Sequence, residues 1–297
     1  MTKIMITGAT GLLGRELVTK LSEHHDIIAT GFSRAKPPIA SLDLQDKQAV
    51  ANFIETHQPN VIIHAAAERK PDVCETNHEA TLNLNVAVSE HLAECCLQHN
   101  IRFIFISTDY VFDGDHAPYQ ENATPRPLNF YGQSKSQAEK AVLSVSEQHT
   151  IIRVPVLYGE VQTLAESAIT VIAEQVMASA ETEHDHWAIR YPTHVQDIAL
   201  TIRDLIALSS SQCQGIFHVS DTTKLTKFNI AEIIKTQFSL DDKTLTPLSA
   251  PSQTASRPFN CALKDTRLHA LGIHHTRDFT AAITKAIAPH IKENQLN

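Results

Sequence analysis

The feature that most constrains the fold is a set of three glycines, Gly8, Gly11 and Gly14, spaced three residues apart near the start of the chain. The preceding apolar run, Ile4–Thr7, is too short for a helix and rich in strand formers, whereas leucines recur at helical spacing over Leu12–Leu21. The glycines therefore lie at a predicted strand-to-helix turn, where they allow a tight turn and close approach of a pyrophosphate. Because the amides at the helix start are unpaired and face such a ligand, the sequence predicts a dinucleotide site here.

Length and composition suit a globular protein of this kind. The 297 residues, 42% hydrophobic and 20% charged, are enough for one large domain and a smaller one. The formal net charge of -8 gives no electrostatic reason to expect nucleic acid or an anionic membrane as a partner. No apolar run is long enough to span a bilayer, and Met1 leads into the first strand without a signal-peptide pattern, so we expect a cytoplasmic location.

Neither the cysteines nor the histidines have the spacing of metal ligands. The five cysteines are odd in number and show neither a disulfide framework nor zinc-ligand spacing, so we expect reduced, structural thiols. Seventeen histidines include pairs such as His24–His25, but no cluster of carboxylates or cysteines accompanies them at suitable spacing. We therefore predict no metal site.

Strand-like and helix-like segments alternate through the first half of the chain. Further strands are predicted at Ile27–Phe32, Asn60–Ala67, Arg102–Ser107 and Thr150–Val156, and helices at Asp46–His57, Glu79–His99 and Phe130–Val145. Apolar strands between amphipathic helices are typical of a parallel sheet covered on both faces, so the predicted class is α/β, a doubly wound Rossmann sheet with a smaller α/β domain.

The predicted domains are residues 1–156, which bind the nucleotide, and residues 157–297, which mainly bind substrate and cross back to the first domain. In the second half the expected helices are Leu164–Ala178, Val195–Leu208 and Phe228–Phe238, and the expected strands lie near Trp187–Tyr191 and Ile216–Val219.

The end of the second strand bears on the choice of cofactor. Proteins specific for NAD usually carry Asp or Glu about twenty residues beyond the last glycine, where this chain has Arg34. Arg34, with Ser33 and Lys36 beside it, is suited to a 2′-phosphate because guanidinium pairs well with phosphate oxygens. A solvated basic loop is the alternative. Asp43 is either an adenine contact or a plain loop carboxylate, and NADP is favoured over NAD.

Tyr131 and Lys135 form the main candidate for catalytic chemistry. Four residues apart on a predicted helix, they lie on one face, so the ammonium would lower the pKa of the phenol and allow proton exchange near neutral pH. Thr108, at the end of a predicted strand, would hold the substrate oxygen. The spacing alone is weak evidence, and its place after a glycine turn and a hydroxyl-bearing strand end makes it more specific.

Several motifs resemble the extended short-chain dehydrogenase/reductases over nearly the whole chain. Similarity to the dTDP-4-dehydrorhamnose reductase branch is carried by Ile106–Gly114, Pro127–Gly132 with Lys135, Gly215–His218 and Arg257–Asn260. Similarity to a divergent member of that branch, the beta regulatory subunit of methionine adenosyltransferase, is carried by Ala66–Val73, Leu157–Val161, Glu166–Ala168 and Asp185–Val195.

The resemblance implies NADP(H) as cofactor and a nucleotide-linked sugar ketone as substrate. Tyr131 would donate the proton, Lys135 would bind ribose hydroxyls, and Thr108 would hydrogen-bond the ketone oxygen. The cofactor-binding set would be Thr7, Gly8, Gly11, Leu12, Leu13, Gly14, Ser33, Arg34, Asp43, Leu44, Ala65, Ala66, Ala67, Tyr131 and Lys135. The substrate-binding set would be Glu68, Asp109, Tyr110, Trp187, Arg190 and Arg257.

Some of these assignments have plain structural alternatives. Trp187 is equally suited to core packing, and Arg257 to a surface salt bridge. Asn85, which would help to relay protons, is more often structural when it stands alone in a helix.

Two departures from the sugar reductases leave a second function open. Glu68–Arg69 stand where the reductases usually carry a tyrosine-threonine pair, and Asp185–Thr193 replaces a segment with glutamine and glycine. Both features are shared with the regulatory subunit, so the alternative is an NADP-binding regulator with the methionine adenosyltransferase catalytic subunit as partner. Against it, the tail His290–Asn297 lacks the aromatic, basic terminus of that subunit. A homodimer is a further expectation.

Overall fold

The computed structural model describes residues 1–250 and 255–295, with the side chains of 292–295 outside the description. Most of the polar tail His290–Asn297 therefore lies outside the described side chains. The strands are β1 Lys3–Thr7, β2 Asp26–Gly31, β3 Ala40–Ser41, β4 Val61–His64, β5 Arg102–Thr108, β6 Thr150–Val154, β7 Leu157–Tyr158, β8 Glu181–Asp185, β9 Thr193–His194, β10 Gly215–His218 and β11 Thr244–Leu248. The α-helices are α1 Leu12–Leu21, α2 Lys47–His57, α3 Pro71–Thr76, α4 His78–Leu82, α5 Val88–Gln98, α6 Phe130–Val145, α7 Thr170–Ala178, α8 Val195–Ala207, α9 Lys227–Gln237, α10 Arg267–Ala270 and α11 Phe279–Gln295.

Seven parallel strands form the central sheet in the order β10-β6-β5-β4-β1-β2-β3. One face is covered by α1 and α8, whose apolar side chains pack on alternate residues of the strands. The other face is covered by α2, α5 and α6. Burial on both faces explains why the strands are almost wholly apolar, and the predicted doubly wound α/β class is confirmed.

The order of the strands brings the chemistry-bearing loops together. The neighbours β5, β4, β1 and β2 end at Thr108, His64, Thr7 and Gly31. Because parallel strands share one carboxyl edge, the loops that follow these four strands meet there, and the strand order reverses next to β1.

A second apolar core lies outside the sheet. It is built from α7, α9 and α11 with Tyr158 and Leu164, and the pair β8 and β11 packs beside α9. The second half of the chain also contributes to the central sheet, because β10 is one of its strands and α8 packs on one of its faces. The division at residue 156 stays a prediction.

Most predicted elements agree with the structure to within two residues, and four do not. The predicted strand Asn60–Ala67 ends three residues early, at His64. The predicted helix Glu79–His99 is divided, because the segment Asn83–Ala87 forms a π-helical turn. The predicted helix Leu164–Ala178 begins as a 3-10 turn and becomes α-helical only at Thr170. The predicted strand Trp187–Tyr191 was wrong, since only isolated bridges occur there and the strand is Glu181–Asp185.

The five cysteines are buried free thiols, as predicted. Within the described part of the chain, no helix combines the length and apolar character needed to cross a bilayer.

Candidate functional site

The glycine turn after β1 is shaped by close backbone contacts. Gly8 has φ +72°, and a Cβ there would lie 2.8 Å from the Ala66 amide nitrogen. A Cβ on Gly14 would collide with the Gly8 carbonyl oxygen, which also accepts a hydrogen bond from the Gly11 amide at 2.9 Å. Positions 8 and 14 therefore require glycine, one for its backbone angles and both for space.

The start of α1 leaves room and donors for an anion. Gly11 is the N-cap residue and offers no side chain to accept from the first amides of the helix. Helix N-termini in which these amides are uncapped bind phosphate groups readily. The uncapped helix start and the space kept open by the glycines fit the pyrophosphate of a dinucleotide.

Some of the other predicted cofactor residues are accessible at the surface, and others are buried in the core. Ser33 and Arg34 are exposed after β2, and Ala65–Ala67 are half-buried after β4. Leu13 is buried on the face of the sheet that α1 and α8 cover, and Leu12 packs partly against the same face. Leu44 is buried on the opposite face. Thr7 is fully buried with its hydroxyl 2.7 Å from Nδ1 of His64, and Asp43 accepts a hydrogen bond from the Gln45 amide at 3.0 Å. The buried Thr7 side chain therefore cannot contact a cofactor directly, whereas the exposed Arg34 side chain is accessible to a phosphate group.

Thr108, Tyr131 and Lys135 lie at the same edge of the sheet. Thr108 ends β5, and its hydroxyl donates to Oδ1 of Asp109 at 3.1 Å. Tyr131 lies in the first turn of α6, which is capped by Asn129 through a 2.9 Å bond to the Gly132 amide. The Lys135 ammonium donates to the Ile106 carbonyl oxygen at 2.7 Å. The strand and the helix thus bring the Thr108 and Tyr131 hydroxyls together, and the Lys135 ammonium bonds β5 two residues before Thr108.

Electrostatics at this site differ from the prediction in one respect. Burial raises the pKa of Tyr131, and the groups that oppose this are the hydroxyl of Thr108 and the guanidinium of Arg69, with no strong contribution from Lys135. Burial lowers the pKa of Lys135 itself to about 7, against the opposing effect of Glu139. The predicted lowering of the phenol pKa by Lys135 is therefore not seen, because the ammonium is held on a backbone carbonyl and 3.9 Å from the centre of the Phe105 ring.

Asn85 lies in the π-helical turn and bonds two other parts of the site. Its side-chain amide donates to Oγ of Ser134 and to the Glu68 carbonyl, both at 3.0 Å, and its Oδ1 accepts from the Glu68 amide at 2.9 Å. These bonds join the helix to α6 and to the loop after β4. The Glu68 carboxylate accepts from the Lys70 amide at 2.9 Å, so it supports the loop locally.

Three of the predicted substrate residues, Asp109, Tyr110 and Arg190, are grouped just beyond the end of β5. Asp109 is buried, which raises the pKa of its carboxyl to about 7 despite the nearby Arg190 guanidinium. The Tyr110 ring contacts both neighbours. Its centroid lies 6.1 Å from that of Tyr131 and 5.8 Å from Cζ of Arg190. Arg190 is buried, and its Nη1 donates to the Pro258 carbonyl at 3.1 Å.

Trp187 and Arg257 both make contacts within the protein, as the structural alternatives predicted. Trp187 is half-buried and packs against Phe259, with ring centroids 5.2 Å apart. Arg257 Nη2 donates to Asp72 Oδ2 at 2.8 Å, which is the predicted alternative of a salt bridge. Its other terminal nitrogen, Nη1, is buried and has no hydrogen-bond partner among the described residues.

Sequence reasoning missed two ion pairs around the site. Arg15 on α1 makes a double hydrogen bond to Glu166, at 2.6 and 2.7 Å, and thereby links the glycine turn to the chain after β7. Beneath β5, Arg153 Nη2 lies 2.7 Å from Oε2 of Glu139, and the other carboxylate oxygen, Oε1, accepts from the Ser107 hydroxyl at 2.5 Å. Nothing in the spacing of these residues could have paired them, since the partners lie on separate elements.

Comparison with known proteins agrees with this geometry. The chain is 40% identical over 294 residues to methionine adenosyltransferase 2 subunit beta of Bos taurus, covering 97% of this chain and 88% of the relative. It is 29% identical over 286 residues to a dTDP-4-keto-6-deoxy-D-glucose reductase of Streptomyces niveus, covering 95% of each. A crystal structure of dTDP-4-dehydrorhamnose reductase from Bacillus anthracis in complex with NADP superposes with TM-score 0.85 at 27% identity, covering 97% of this chain and 99% of that one. The family described as the RmlD substrate binding domain matches residues 1–291, and the chain belongs to that family.

Proposed function

We propose that this chain binds NADP(H) and reduces the ketone of a 4-keto nucleotide sugar. The observation that carries the proposal is the convergence of Thr108, Tyr131 and Lys135 on the sheet edge that also bears the glycine turn. A phenol, a hydroxyl and an ammonium arranged beside a dinucleotide site are the groups that carbonyl reduction requires. The division into residues 1–156 and 157–297 is part of the same proposal.

Gly8, Gly11 and Gly14 would hold the pyrophosphate, with Arg34 and Ser33 on the 2′-phosphate. The shape of the turn, the uncapped helix start and the absence of an acid at the end of β2 support this assignment. The relative solved with NADP supports the choice of NADP over NAD. When bound, the reduced cofactor supplies a hydride, and the chain supplies the remaining groups.

Each catalytic residue would have a separate role. Thr108 would donate a hydrogen bond to the ketone oxygen and fix its position next to the Tyr131 hydroxyl. Tyr131 would give its proton to that oxygen as negative charge develops there. Its raised pKa keeps the phenol protonated at neutral pH and makes it a weaker acid than an exposed tyrosine. Lys135 would hold ribose hydroxyls, and for this its ammonium would have to leave the Ile106 carbonyl oxygen that it bonds at 2.7 Å.

The test is a spectrophotometric assay of NADPH oxidation with dTDP-4-dehydrorhamnose. We expect turnover by the wild type, and a loss of about a hundredfold or more in Tyr131→Phe with NADPH affinity retained, as general acids typically contribute on this scale. Tyr158→Phe is the matched control, since this phenol belongs to the second core and not to the sheet edge. Full activity of Tyr131→Phe would refute the assigned proton donor. Tight NADPH binding without any turnover would refute the reductase function.

A second function is favoured by the 40% identity to methionine adenosyltransferase 2 subunit beta. In this case the same site keeps NADP(H) and the chain regulates a methionine adenosyltransferase catalytic subunit with little or no reduction of its own. Arg69 supports this reading, because its Nη2 donates to the Glu166 carbonyl at 2.6 Å in the place where the sugar reductases usually have a tyrosine-threonine pair.

Co-purification of the two proteins, followed by an assay of S-adenosylmethionine synthesis with and without this chain, tests the regulatory function. A stable complex with altered synthesis would support it, and the lack of any complex at micromolar concentrations would exclude it. A cytoplasmic location and a homodimeric state remain predictions from the sequence.

A further inference from the structure

The segment that follows β7, residues 160–167, joins the second core to the loops at the carboxyl edge of the sheet. We call this segment the strap. Its inner side is anchored in the second core, where Leu164 is buried and Val161 packs partly against the same cluster. The Val161 carbonyl oxygen also accepts a hydrogen bond from Nε2 of His290 on α11 at 3.0 Å. The outer side of the strap bonds the loops that follow β1 and β4.

The Glu166 carboxylate ties the strap to the glycine turn. Nη1 and Nη2 of Arg15 donate to its two oxygens at 2.6 and 2.7 Å, and the Gln162 amide donates to Oε2 at 3.0 Å. Arg15 Nη1 donates also to the Thr10 carbonyl oxygen at 3.0 Å, and Thr10 is part of the glycine turn. Because a guanidinium and a carboxylate meet here in a planar double bond, the strap has a fixed position beside the turn.

Arg69 supplies the second tie, from the loop after β4. Its Nη2 donates to the Glu166 carbonyl oxygen at 2.6 Å. The strand order reverses between β1 and β4, because β2 and β3 extend the sheet on one side of this pair and β5 and β6 on the other. In open α/β sheets, the crevice at such a reversal is where a dinucleotide binds. A single strap residue, Glu166, therefore bonds both sides of this crevice.

Both ties are of a kind that can open and close again. The Arg15 side chain is 24% exposed, and Arg69 is exposed. Water can replace hydrogen bonds at such positions, so their net strength is modest. Segments held by a few exposed bonds open more readily than the core, and loops that cover ligands commonly move in this way.

We propose that the strap gates the exchange of the dinucleotide, and that the bonds from Arg15 and Arg69 to Glu166 must break before the cofactor enters or leaves the crevice between β1 and β4. This inference rests on the proposed binding of NADP(H). It applies to both proposed functions, because a reductase and a regulator each hold the cofactor in the same crevice. Arg69 and Glu166 thus control the rate of exchange without contacting the cofactor.

Stopped-flow fluorescence of NADPH with the full-length protein tests the gate. Association is followed on mixing, and dissociation is followed by displacement with excess NADP⁺. We expect Arg69→Met and Glu166→Gln each to raise both rate constants about three- to tenfold, the effect of losing or weakening one hydrogen bond, while the Kd changes less than about twofold. The ties exist with and without the cofactor in this proposal, so their loss lowers the barrier and leaves the affinity nearly unchanged.

Glu160→Gln is the matched control, since Glu160 is an acid of the same strap whose carboxylate pairs only with the exposed Lys285 at 3.0 Å among the described residues. It should exchange NADPH at the rates of the wild type. If it is accelerated as much as Glu166→Gln, general loosening of the segment is responsible and the specific ties are refuted.

Two further results would overturn the gate and leave NADP(H) binding intact. One is wild-type rates in both Arg69→Met and Glu166→Gln. The other is a faster dissociation alone with an equal loss of affinity, which would mean that these side chains contact the cofactor. A wild type that binds no NADPH would instead refute the proposed function itself. Urea unfolding of every variant verifies that each one is folded.

Discussion

Asp109→Asn offers a sharp test of the electrostatics at the site. Asp109 is 5% exposed and lies beside Thr108, whose hydroxyl donates to its Oδ1. Burial raises the pKa of this carboxyl from 3.8 to about 7, even though Arg190 and several hydrogen bonds favour the charged form. Asparagine preserves an oxygen that accepts from Thr108 and removes the ionisation.

The sign of the effect follows from proton binding. Because the pKa is raised on folding, the native protein binds more protons than the unfolded chain between pH 3.8 and about 7, so rising pH destabilises it. This is the opposite of the usual behaviour of a salt-bridged carboxylate. For one group with these pKa values, the free energy of unfolding of the wild type should fall by about 2 to 3 kcal/mol relative to Asp109→Asn between pH 5 and 8.

Urea unfolding of both proteins at pH 5, 6, 7 and 8 measures this difference. Other titrating groups, including Lys135 with its lowered pKa, are common to the two proteins and cancel. Asp115→Asn, at an exposed position six residues later, is the control and should track the wild type at each pH. A difference between Asp109→Asn and wild type that stays constant with pH would show that Asp109 is ionised normally, and the argument from burial would be wrong.

Two further predictions concern the dinucleotide site. Arg34→Ala should weaken NADPH binding about tenfold or more while leaving NADH binding nearly unchanged, because in the proposed complex the guanidinium would meet only the 2′-phosphate. Fluorescence titration measures both affinities, with Lys36→Ala as the comparison, and equal losses for the two dinucleotides would contradict the assignment. Glu166→Gln should lower the free energy of unfolding by about 1 kcal/mol at pH 7, because it weakens the double hydrogen bond from Arg15. Burial raises the pKa of Glu166, but the bond from Arg15 lowers it overall, so this contribution is present above pH 4.5 and disappears on further acidification. Thermal melts test this, with the exposed Glu23→Gln as control, and a gap that widens in acid would refute it.

The sequence predicted the doubly wound sheet well because its strands are buried on both faces. Such strands are continuous apolar runs, and the helices between them show helical spacing, so local pattern and tertiary position agree. The strand Arg102–Thr108 and the helix Phe130–Val145 were placed to within one residue for this reason. Prediction failed where one residue's long-range contacts changed the backbone, as in the predicted helix Glu79–His99, whose π-helical turn contains Asn85 with its bonds to Glu68 and Ser134.

The wrongly placed strand of the second half has a similar cause. Glu181–Asp185 is polar and half exposed, so no alternation of apolar residues marks it as a strand. Its pairing comes from Thr244–Leu248, about sixty positions later, where the two segments run parallel. Apolar and aromatic residues over Trp187–Tyr191 resemble a strand locally, yet their backbone meets separate loops and forms only single bridges.

By itself, the sequence determined that a parallel sheet carries a glycine turn, and which residue types stand at the ends of its strands. Glycine spacing, apolar runs and the Tyr131–Lys135 interval are local properties, so they can be read without coordinates. Only the tertiary structure decided the charge states and the partners. Burial, and not the sequence interval, sets the pKa of Lys135 and of Asp109. The contacts of Arg190 with Leu225 and Pro258 join segments that are distant along the chain. Desolvation and long-range contacts are properties of the packed molecule, which a linear pattern does not contain.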